Sequence, residues 1–508
     1  MNLPSQIRIL SRKSDLAIIQ ARQVGDRINQ TFPDVKIKYA IKKTSGDIDL
    51  KTPLSEMPSP GVFTDDLRND IITHKCDLAV HSWKDLPLDL GPDTTIAGTL
   101  VRADQRDILF VKKVSAEKIK TNKSITILSS SPRRIYNLGH FVKNFLPFNC
   151  DNVKFTNIRG NIPSRFKKFL AGDADGLVIA KAAIDRLLVN DLPEFESISL
   201  QIKENIQQCL WTITPLSQNP TSPGQGALGL EIRKNNQQLK TIVKTISDPL
   251  VSHCVEEERK ILQRHGGGCH QKIGVSFFPT FFGLMKATKG EVDSGDQFYT
   301  WEWSNKKHID KKISANLLYP IKLEDHKFFK RKEIEESIEK IEGLSNHCIW
   351  VSRKSALPER ANIDPSNVVW TSGIKTWKAL VRKGIWVNGT ADGMGEDFNT
   401  NIGVLAPMPW VKLTHKTSPL SSIANTITTY ELEELPIKEE LNTKQFFYWM
   451  SFSAFRYAIR EYPLIIKANH ACGPGNTYKE IKKMLEDPTK LNIYLSYEEW
   501  KSSLLNAA

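Results

Sequence analysis

The stretch IRILSRKSDLAIIQA, residues 7–21, sets the pattern from which the fold of this chain can be read. Its first part is a short apolar run of strand length, and its second part repeats apolar residues at helical spacing. Ser14 lies at the boundary, where its side chain suits the N-cap of a helix from Leu16 to Ile28. The stretch therefore predicts a strand followed by a helix, the repeating unit of an α/β protein.

Strand-like and helix-like segments continue to alternate up to residue 235. The segments are CDLAVHS (76–82), SITILSSS with PRRIYNLGHFV (124–142), VKFTNIRG with IPSRFKKFL (153–170), and DGLVIA with KAAIDRLL (175–188). This rhythm predicts mixed or parallel sheets with helices on their faces. In such folds, ligands bind where strands end and helices begin.

The composition limits the class of protein. The chain has 508 residues, of which 40% are hydrophobic and 25% are charged. This length predicts several domains, and this balance is typical of a soluble globular protein. No apolar run approaches the ~20 residues that cross a membrane, and charges interrupt the first apolar stretch, which argues against a secretory signal. We therefore expect a cytoplasmic protein without membrane contact.

Charge and cysteine content narrow the possible ligands. The net charge of +13 predicts anionic partners. The arginines lie in short Gly/Ser-rich turns rather than on one basic helix face, which favours a small polyanion over nucleic acid. The seven cysteines are scattered and odd in number, without a CxxC pair, so neither a disulfide framework nor a metal site is expected.

Arginines and serines lie beside three predicted helix starts, where free N–H groups and the helix dipole attract anions. These residues are Arg12, Ser14, Ser130, Ser131, Arg133, Arg134, Arg159 and Arg165. Pro132 suits the first helical position after a Ser131 cap, which leaves two arginines in a first turn that disfavours cations. Such a turn suits a bound anion; an ordinary cap with solvated arginines is the alternative at each site.

A polar strand end and a glycine-rich turn add further candidates. The segment DLAVHSWKDLP (77–87) ends a predicted strand in Lys84 and Asp85, a pair that could hold a positive charge on a substrate nitrogen or transfer protons. An ordinary surface ion pair is the alternative, and a triad that includes His81 is disfavoured because such close residues rarely converge. In SPGQGALGLEIR (222–233), Gln225 could bind ligand or backbone.

Seven motifs in order resemble porphobilinogen deaminase, also called hydroxymethylbilane synthase. They are IRILSRKSDLAIIQA, KTSGD, HSWKDLP, SSSPRR, IRGN with its following SR, SPGQGALGLE and GGGCHQKIG. The resemblance implies two periplasmic-binding-protein-like α/β domains and a small α+β domain. The expected ranges are 1–104 with 224–247, then 105–223, then 248–322.

The resemblance also assigns roles. It implies that Cys269 carries a covalent dipyrromethane cofactor, in a loop whose glycines allow movement. Four porphobilinogen molecules would join with loss of ammonia to give hydroxymethylbilane, with Asp85 and Lys84 catalytic. Cofactor contacts would come from Ser14, Lys84, Asp85, Ser130, Ser131, Arg133 and Arg134. Substrate contacts would come from Arg12, Arg159, Arg165 and Gln225. These cations would hold pyrrole carboxylates, and a monomer is expected.

One segment departs from the family pattern. The stretch PLSEMPSPGVFTDDL (53–67) stands where the family's mobile loop carries glycines and lysines, with Glu56 and Pro60 at positions where lysines are common. This departure leaves open how the loop at residues 54–64 closes and whether it contacts substrate.

The last third of the chain contains a faint repeat. IWVSRKSALPE and NVVWTSGIKTWKALVRKG are echoed by FYWMSFSAFRYAI and NHACGPGNTYKEIKKML, which predicts two similar α/β lobes. A charged, helix-like linker is expected at 323–344. Residues 345–508 resemble uroporphyrinogen-III synthase, and Thr376, Tyr430 and Thr477 match its recurrent polar positions.

The two resemblances together imply a bifunctional enzyme of tetrapyrrole biosynthesis that assembles hydroxymethylbilane and then closes it to uroporphyrinogen III. The C-terminal segment is shorter than a usual synthase of that family. The alternatives are a deaminase with an inactive structural C-terminal domain, a non-catalytic anion-binding protein of the same architecture, and a nucleic-acid binder.

Overall fold

The computed structural model describes residues 3–44, 64–267, 271–304, 312–419, 421 and 424–505. The chain forms two compact units of mixed α/β structure. The first unit comprises Met1–Pro279 and Lys286–Trp301, and the second comprises Thr280–Met285 and Glu302–Ala508. Within the described residues, no helix combines the length and the apolar character that crossing a membrane requires.

The first unit begins with a sheet built around the strand that the opening stretch predicts. Its strands are β1 (Gln6–Arg12), β2 (Lys36–Lys42), β3 (Leu78–Ser82), β4 (Thr94–Gly98) and β10 (Leu228–Arg233). The order is β2-β1-β3-β10-β4, with β1 parallel to β2 and β3, and β10 antiparallel to β3 and β4. Its helices are α1 (Asp15–Thr31), α2 (Asp65–Ile72) and α8 (Gln237–Ile246).

A second sheet repeats this topology. Its strands are β5 (Asp107–Lys112), β6 (Ser124–Leu128), β7 (Asn152–Thr156), β8 (Gly176–Ala180) and β9 (Cys209–Ile213), in the order β7-β6-β8-β5-β9. Its helices are α3 (Ala116–Asn122), α4 (Pro132–Phe145), α5 (Ile162–Ala171), α6 (Lys181–Leu188) and α7 (Glu196–Gln207). The strand β6 is parallel to β7 and β8, whereas β5 is antiparallel to β8 and β9. Two sheets of like topology agree with the predicted pair of α/β domains, whose boundaries stay predictions.

Apolar periodicity explains how these elements pack. In the first sheet, alternate residues of β1 and one face of α1 are buried together, including Ile7, Ile9, Val24 and Ile28. Because side chains alternate across a strand and recur every three to four residues on a helix, both patterns present one apolar face to the same core. This packing fixes the carboxyl end of each strand and leaves its last polar residues at the sheet edge.

A helix and three strands follow the return to the first sheet. They are α9 (Pro249–Arg264), β11 (Gly274–Thr280), β12 (Gly283–Glu291) and β13 (Gln297–Trp303), and the strands form one sheet in that order. Asp248 caps α9 by accepting hydrogen bonds from Leu250 N and Val251 N, while Pro249 occupies the first turn.

The second unit contains two largely parallel sheets. The strands are β14 (Leu318–Tyr319), β15 (Phe329–Glu333), β16 (Cys348–Val351), β17 (Val368–Thr371), β18 (Gly389–Thr390), β19 (Trp410–His415), β20 (Asn425–Glu434), β21 (Phe446–Trp449), β22 (Asn469–Cys472) and β23 (Leu491–Ile493). The helices are α10 (Glu336–Glu342), α11 (Ile374–Val381), α12 (Phe452–Glu461), α13 (Asn476–Met484) and α14 (Tyr497–Leu505). The sheet orders are β15-β20-β19-β16-β17-β18 and β14-β21-β22-β23.

The segment 323–344 differs from the expected charged helical linker. Its FKRKE stretch forms the edge strand β15, which pairs antiparallel with β20 from Phe329↔Glu434 to Glu333↔Tyr430. Charged side chains are tolerated there because an edge strand exposes them to water. The strand β14, expected to lie in the preceding domain, pairs with β21 instead, since Leu318 and Tyr319 are each 1% exposed in the core of the second unit.

Candidate active site

Lys84 and Asp85 lie at the carboxyl end of β3, as the sequence predicts. Trp83–Asp85 form a single 3₁₀ turn directly after the strand, and the backbone N–H of buried Trp83 donates to Ala227 O at 3.0 Å. This anchoring leaves Lys84 and Asp85 half-buried. Among the described residues, no donor is hydrogen-bonded to the Asp85 carboxylate, so its oxygens can accept from a ligand.

The ammonium group of Lys84 lies in a mixed electrostatic environment. Burial lowers the pKa of Lys84, Asp85 opposes that effect, and Arg134 adds to it. The Nζ atom is 3.5 Å from Gln225 Oε1, which accepts a long hydrogen bond. Lys84 therefore stands next to the open carboxylate, with its ammonium directed toward the second sheet.

Asp107, which the sequence analysis missed, organises the opposite side of the site. Its fully buried carboxylate accepts hydrogen bonds from Arg133 Nη1 at 2.8 Å and from Arg134 Nη2 at 2.7 Å. It also accepts from Gln225 Nε2 at 2.8 Å and Asn219 Nδ2 at 3.1 Å. Burial alone would raise the pKa of Asp107, but the two guanidinium groups outweigh it and hold this pKa well below its ordinary range.

Arg133 is committed to protein partners in this arrangement. It is 3% exposed, and its Nη1 donates to Asp107, to Asn219 Oδ1 at 3.0 Å and to Pro220 O at 3.1 Å. The sequence analysis placed this arginine among the cofactor contacts. In the structure Arg133 is a partner of Asp107, and its buried Nε has no partner among the described residues. Its role as a cofactor contact stays a prediction.

Arg134 is only partly satisfied. Its Nη2 binds Asp107, whereas its buried Nε has no hydrogen-bond partner among the described residues. Ser131 caps α4, as predicted, by accepting from Arg134 N at 3.4 Å. Ser130 Oγ accepts from Ile158 N and donates to Ile158 O, both at 2.9 Å. Ser131 therefore fixes the first turn of α4, and Ser130 fixes the backbone directly before Arg159.

Arg159 and Arg165 approach Asp85 from the second sheet. Arg165 Nε donates to Gly160 O at 2.7 Å, and burial lowers the pKa of Arg165 to about 10. Arg134 and Arg159 contribute to that decrease, while Asp85 opposes it, so these three groups lie within electrostatic reach of Arg165. The buried Nη1 of Arg159 has no partner among the described residues.

Arg12 and Ser14 lie at the carboxyl end of β1, beside β3. The parallel register Ile9↔Leu78 and Leu10↔Ala79 places half-buried Arg12 at the sheet edge where β3 also ends. Ser14 is the N-cap of α1, as predicted, and its Oγ accepts from Ala17 N at 3.4 Å. The fold thus brings Arg12 to the same edge as Lys84 and Asp85.

Gln225 contacts protein groups rather than an open cleft. Its side chain is 1% exposed, with Nε2 donating to Gln105 O at 2.7 Å and to Asp107, and Oε1 accepting from Lys84. The sequence analysis allowed ligand or backbone as its partner and placed it among the substrate contacts. In the structure it connects Lys84 to Asp107, and so positions both.

His81 takes no part in the site. Its Nε2 lies 2.9 Å from Glu231 Oε2 inside the first sheet. Arg68 Nε and Thr94 Oγ1 donate to Glu231 Oε1 at 2.7 and 2.6 Å. Because His81 faces this buried carboxylate on the neighbouring strand, a triad with Asp85 is excluded.

Cys269, expected to carry the cofactor, lies outside the described residues, as does most of the atypical loop at 54–64. The structure does describe how the start of the cysteine loop is placed. Gly267 has φ +68°, and a Cβ atom there would lie 2.7 Å from Leu88 Cδ1. Arg259 donates from α9 to Leu86 O and Pro87 O. Both contacts hold the loop's base beside the turn that carries Asp85.

These positions define a polyanion site around one open carboxylate. Cations from two sheet edges surround Asp85, and Arg134 and Arg159 retain buried nitrogen atoms without partners. Arginine forks of this kind match carboxylates. Within the described ranges, no group of three His, Cys, Asp or Glu side chains could hold a metal ion. This arrangement is typical of α/β proteins that bind small anions at the ends of strands.

Comparison with known proteins identifies the family. The family model described as "Porphobilinogen deaminase, dipyromethane cofactor binding domain" matches residues 7–241. The porphobilinogen deaminase of Chlorobium luteolum is 33% identical over 272 residues, which cover 54% of this chain and 79% of that protein. The Nostoc sp. porphobilinogen deaminase is 33% identical, covering 53% and 76% respectively. Among solved structures, the methionine binding protein MetQ is 8% identical with a TM-score of 0.29, covering 50% of this chain and 95% of that chain.

The chain belongs to the porphobilinogen deaminase family. It has the transferase activity of that family in tetrapyrrole biosynthesis, with porphobilinogen as substrate and dipyrromethane as cofactor. The arginine forks and the open Asp85 carboxylate fit such a cofactor, because each of its rings carries carboxylate groups and a pyrrole N–H.

Proposed function

We propose that Asp85 is the catalytic carboxylate of the first unit. The observation that carries this proposal is its half-buried carboxylate, which has no hydrogen bond from a described residue and lies among cations. Such a group accepts hydrogen bonds from pyrrole N–H groups and stabilises positive charge that develops on their nitrogen atoms. Lys84, next to it, binds a substrate carboxylate or transfers a proton to the departing amine.

The surrounding cations bind and orient the carboxylates of the substrate and of the growing chain. Arg134 and Arg159 have unpaired nitrogen atoms available for this purpose, and Arg165 and Arg12 extend the positive surface at the two sheet edges. Asp107 and Gln225 hold this arrangement in place from behind. Orientation by several charge-assisted bonds supports a condensation in which two pyrroles must meet in one geometry.

We propose that Cys269 bonds covalently to the cofactor. The dipyrromethane supplies the free pyrrole carbon on which the product chain is extended. The base of the loop supports this placement, since Gly267 packs against Leu88 and α9 is bonded to residues 86 and 87, directly after Asp85.

The intact mass of the purified chain tests the attachment. We expect an excess equal to two pyrrole units on the wild-type chain and its loss in Cys269→Ala. The Cys254→Ala variant, which removes a buried cysteine of α9, is the matched control and retains the excess. An excess that persists in Cys269→Ala would rule out this residue as the attachment point.

The second unit closes the linear product to uroporphyrinogen III in our proposal. Its two α/β sheets support this function, since the family that it resembles has two such lobes. Thr376 lies buried in the first turn of α11 after β17, and Thr477 lies in the first turn of α13 after β22. Tyr430 lies on β20 and is 2% exposed, and its hydroxyl has no hydrogen-bond partner among the described residues.

Contacts inside the second unit place the predicted Thr477 turn beside the loop that follows β18. A Cβ atom on Gly395 would lie 2.6 Å from Gly475 Cα, so only glycine permits this approach. Asn476 Nδ2 donates to Glu396 Oε1 at 2.8 Å, and Lys479 pairs with Asp397. The start of α13, which carries Thr477, therefore packs against the loop that follows β18.

Isomer analysis tests the proposed cyclisation. The purified chain is given porphobilinogen alone, and the oxidised uroporphyrin products are separated. A product mostly of type III supports a working synthase in the second unit. A product mostly of type I, the result of spontaneous closure, would show that this unit does not close the ring.

A further inference from the structure

Four cationic or titratable side chains in the second unit converge on one sheet edge; we call His415, Arg331, Arg353 and Arg456 the His415 cluster. The strands β16 and β19 are parallel neighbours with Val351 opposite Leu413. The two strands therefore end side by side. His415 is the last residue of β19, and Arg353 lies two residues after the end of β16. Ser352 Oγ donates to Leu413 O at 2.8 Å and fixes that exit.

The remaining arginines come from elements next to β19. His415 is opposite Tyr430 of β20, and Tyr430 is in turn opposite Glu333 of β15. Arg331 lies two residues earlier on that edge strand, and Arg456 lies on α12. The cluster thus gathers side chains from four separate segments of the second unit.

The cluster is rich in positive charge, although Glu434 lies within electrostatic reach of Arg456. Burial lowers the pKa of His415 to about 4, and Arg353, Lys412, Arg331 and Arg456 each contribute, so all of them lie within electrostatic reach of the imidazole. Lys412 is paired with buried Glu396. Within the described part of the chain, Arg331, Arg353 and Arg456 form no ion pair.

Neighbouring arginines show that this lack of partners is local. Arg460, one turn after Arg456 on α12, pairs with Glu434 and Glu461, and Arg360 pairs with Glu335. Unpaired like charges that face one another are unfavourable, and a bound anion removes that cost. Arg360 and Arg460 thus have carboxylate partners, whereas Arg331 and Arg353 have no ion pair among the described residues.

Tyr430 adds an independent sign of a ligand. Its ring centroid is 5.7 Å from that of His415, and its buried hydroxyl has no partner among the described residues. Buried hydroxyl groups are nearly always hydrogen-bonded. An oxygen of an anion held by the neighbouring cations would satisfy this group.

Topology places the cluster where ligands bind in parallel sheets. The central strand β16 has β17 on one side and β19 on the other, both parallel to it. The chain order reverses on the two sides of β16, and in open parallel sheets ligands bind beyond the carboxyl ends of strands at such a reversal. Arg353 follows the end of β16, and His415 is the last residue of β19.

We propose that the His415 cluster binds carboxylate groups of the tetrapyrrole in the second unit. The identity of the ligand rests on the proposed function, whereas the anion site rests on the geometry given above. Guanidinium groups bind carboxylates through paired hydrogen bonds, so the three arginines can hold several acidic side chains of one molecule. This placement directs the tetrapyrrole across the sheet edge toward Tyr430.

The affinity of the full chain for uroporphyrin III, which carries eight carboxylates, tests the site. We expect Arg331→Gln/Arg353→Gln to weaken binding by at least about tenfold, because two charge-assisted contacts are removed. The controls are Lys354→Gln, the exposed neighbour of Arg353, and Arg460→Gln, a paired arginine of α12; both should bind like wild type. Thermal transitions that match those of wild type show that the second unit of each variant is folded.

The first unit also carries cations that could bind uroporphyrin III. The titration is therefore repeated with each variant combined with Arg165→Gln, which weakens binding at the first unit. Equal affinity of wild type, the double variant and the controls on both backgrounds would overturn the proposed site. The isomer assay gives a separate answer for the proposed cyclisation. If wild type gives type III product and the double variant binds uroporphyrin III as wild type does, the proposed cyclisation stands and the His415 cluster is not the binding site. If wild type gives type I product and the double variant binds more weakly, the His415 cluster is a binding site but the second unit does not close the ring.

Discussion

Asp107 contacts no ligand in the proposed mechanism, yet four side chains of the site are arranged around it. Arg133 and Arg134 bind its two carboxylate oxygens, and Gln225 links it to Lys84. The charge of a guanidinium in a first helical turn predicts that an anion is nearby. It does not tell whether that anion is a ligand or a carboxylate of the protein. Here both arginines bind the internal carboxylate, and each keeps a buried Nε atom without a partner among the described residues.

Asp85 is the residue whose removal should be most harmful to activity. We expect Asp85→Ala to fold normally and to lower the rate of porphobilinogen consumption by at least about 100-fold, because developing positive charge loses its stabilising carboxylate. Asp89→Ala is the matched control, since Asp89 is exposed and lies one turn beyond the 3₁₀ segment. A normal rate in Asp85→Ala, with an unchanged thermal transition, would refute the catalytic role.

Glu231 makes the stability of the first sheet depend on pH. Burial would raise its pKa, but the hydrogen bond and charge of His81, with Thr94 and Arg68, lower the pKa to about 2 from an ordinary value of 4.5. A carboxylate with a depressed pKa stabilises the fold above its unfolded pKa, and this contribution disappears as pH falls through its folded pKa. The stabilising contribution of Glu231 is therefore lost as the pH falls from about 4.5 to about 2.

Urea unfolding of wild type and Glu231→Gln at two pH values checks this contribution. We expect wild type to exceed the variant in unfolding free energy by about 3 kcal/mol near pH 6, with the difference shrinking toward about pH 3. A free-energy difference that stays constant over this pH range would show that the pKa of Glu231 is not lowered in the folded protein.

At the scale of elements, helix starts were the most predictable features. The sequence placed Ser14 and Ser131 as caps, and both accept the hydrogen bonds that a cap must accept. Local rules suffice there because a cap involves residues within one turn. Strand β15 was missed because its charged residues resemble a solvated helix, and only pairing with β20, distant in sequence, makes it a strand.

Glu258 attaches helix α9 to the rest of the first unit. The fully buried carboxylate accepts from Arg102 Nη1 and Nη2 at 2.7 and 2.9 Å, from Gly224 N at 2.7 Å and from Phe277 N at 2.7 Å. Arg102 and Gly224 lie in the two segments where the chain passes between the sheets. One side chain therefore joins the helix that precedes the cysteine loop to both crossings.

Replacement of Glu258 should weaken that attachment. We expect Glu258→Gln to lower the unfolding free energy by about 3 kcal/mol, since Arg102 then remains buried without its counter-charge. Faster hydrogen exchange is expected at Gly224 and Phe277. Glu257→Gln is the matched control, because this neighbour pairs with Lys260 at the surface and should change stability little. Equal stability of the two variants would contradict the role of Glu258.

At the scale of the whole molecule, the proposed cyclisation can be tested separately from the assembly of the linear product. We expect Tyr430→Phe to lower the share of type III product without changing porphobilinogen consumption, because only the second unit loses a hydroxyl. Tyr457→Phe, which removes a hydroxyl bonded to Leu435 O, is the control and should keep the wild-type isomer share. An unchanged isomer share in Tyr430→Phe would remove this hydroxyl from the proposed site.

The sequence by itself determined the alternation of strands and helices, the helix caps and the family. It also placed Lys84 and Asp85 at the end of a strand. These features depend on local periodicity and on motifs that are contiguous in the chain. Tertiary structure alone decided which arginines face an internal carboxylate and which face open space. Asp107 lies 26 residues before Arg133 in sequence but within 2.8 Å of it in space. Contacts of this kind depend on sheet order and register, which local sequence does not encode.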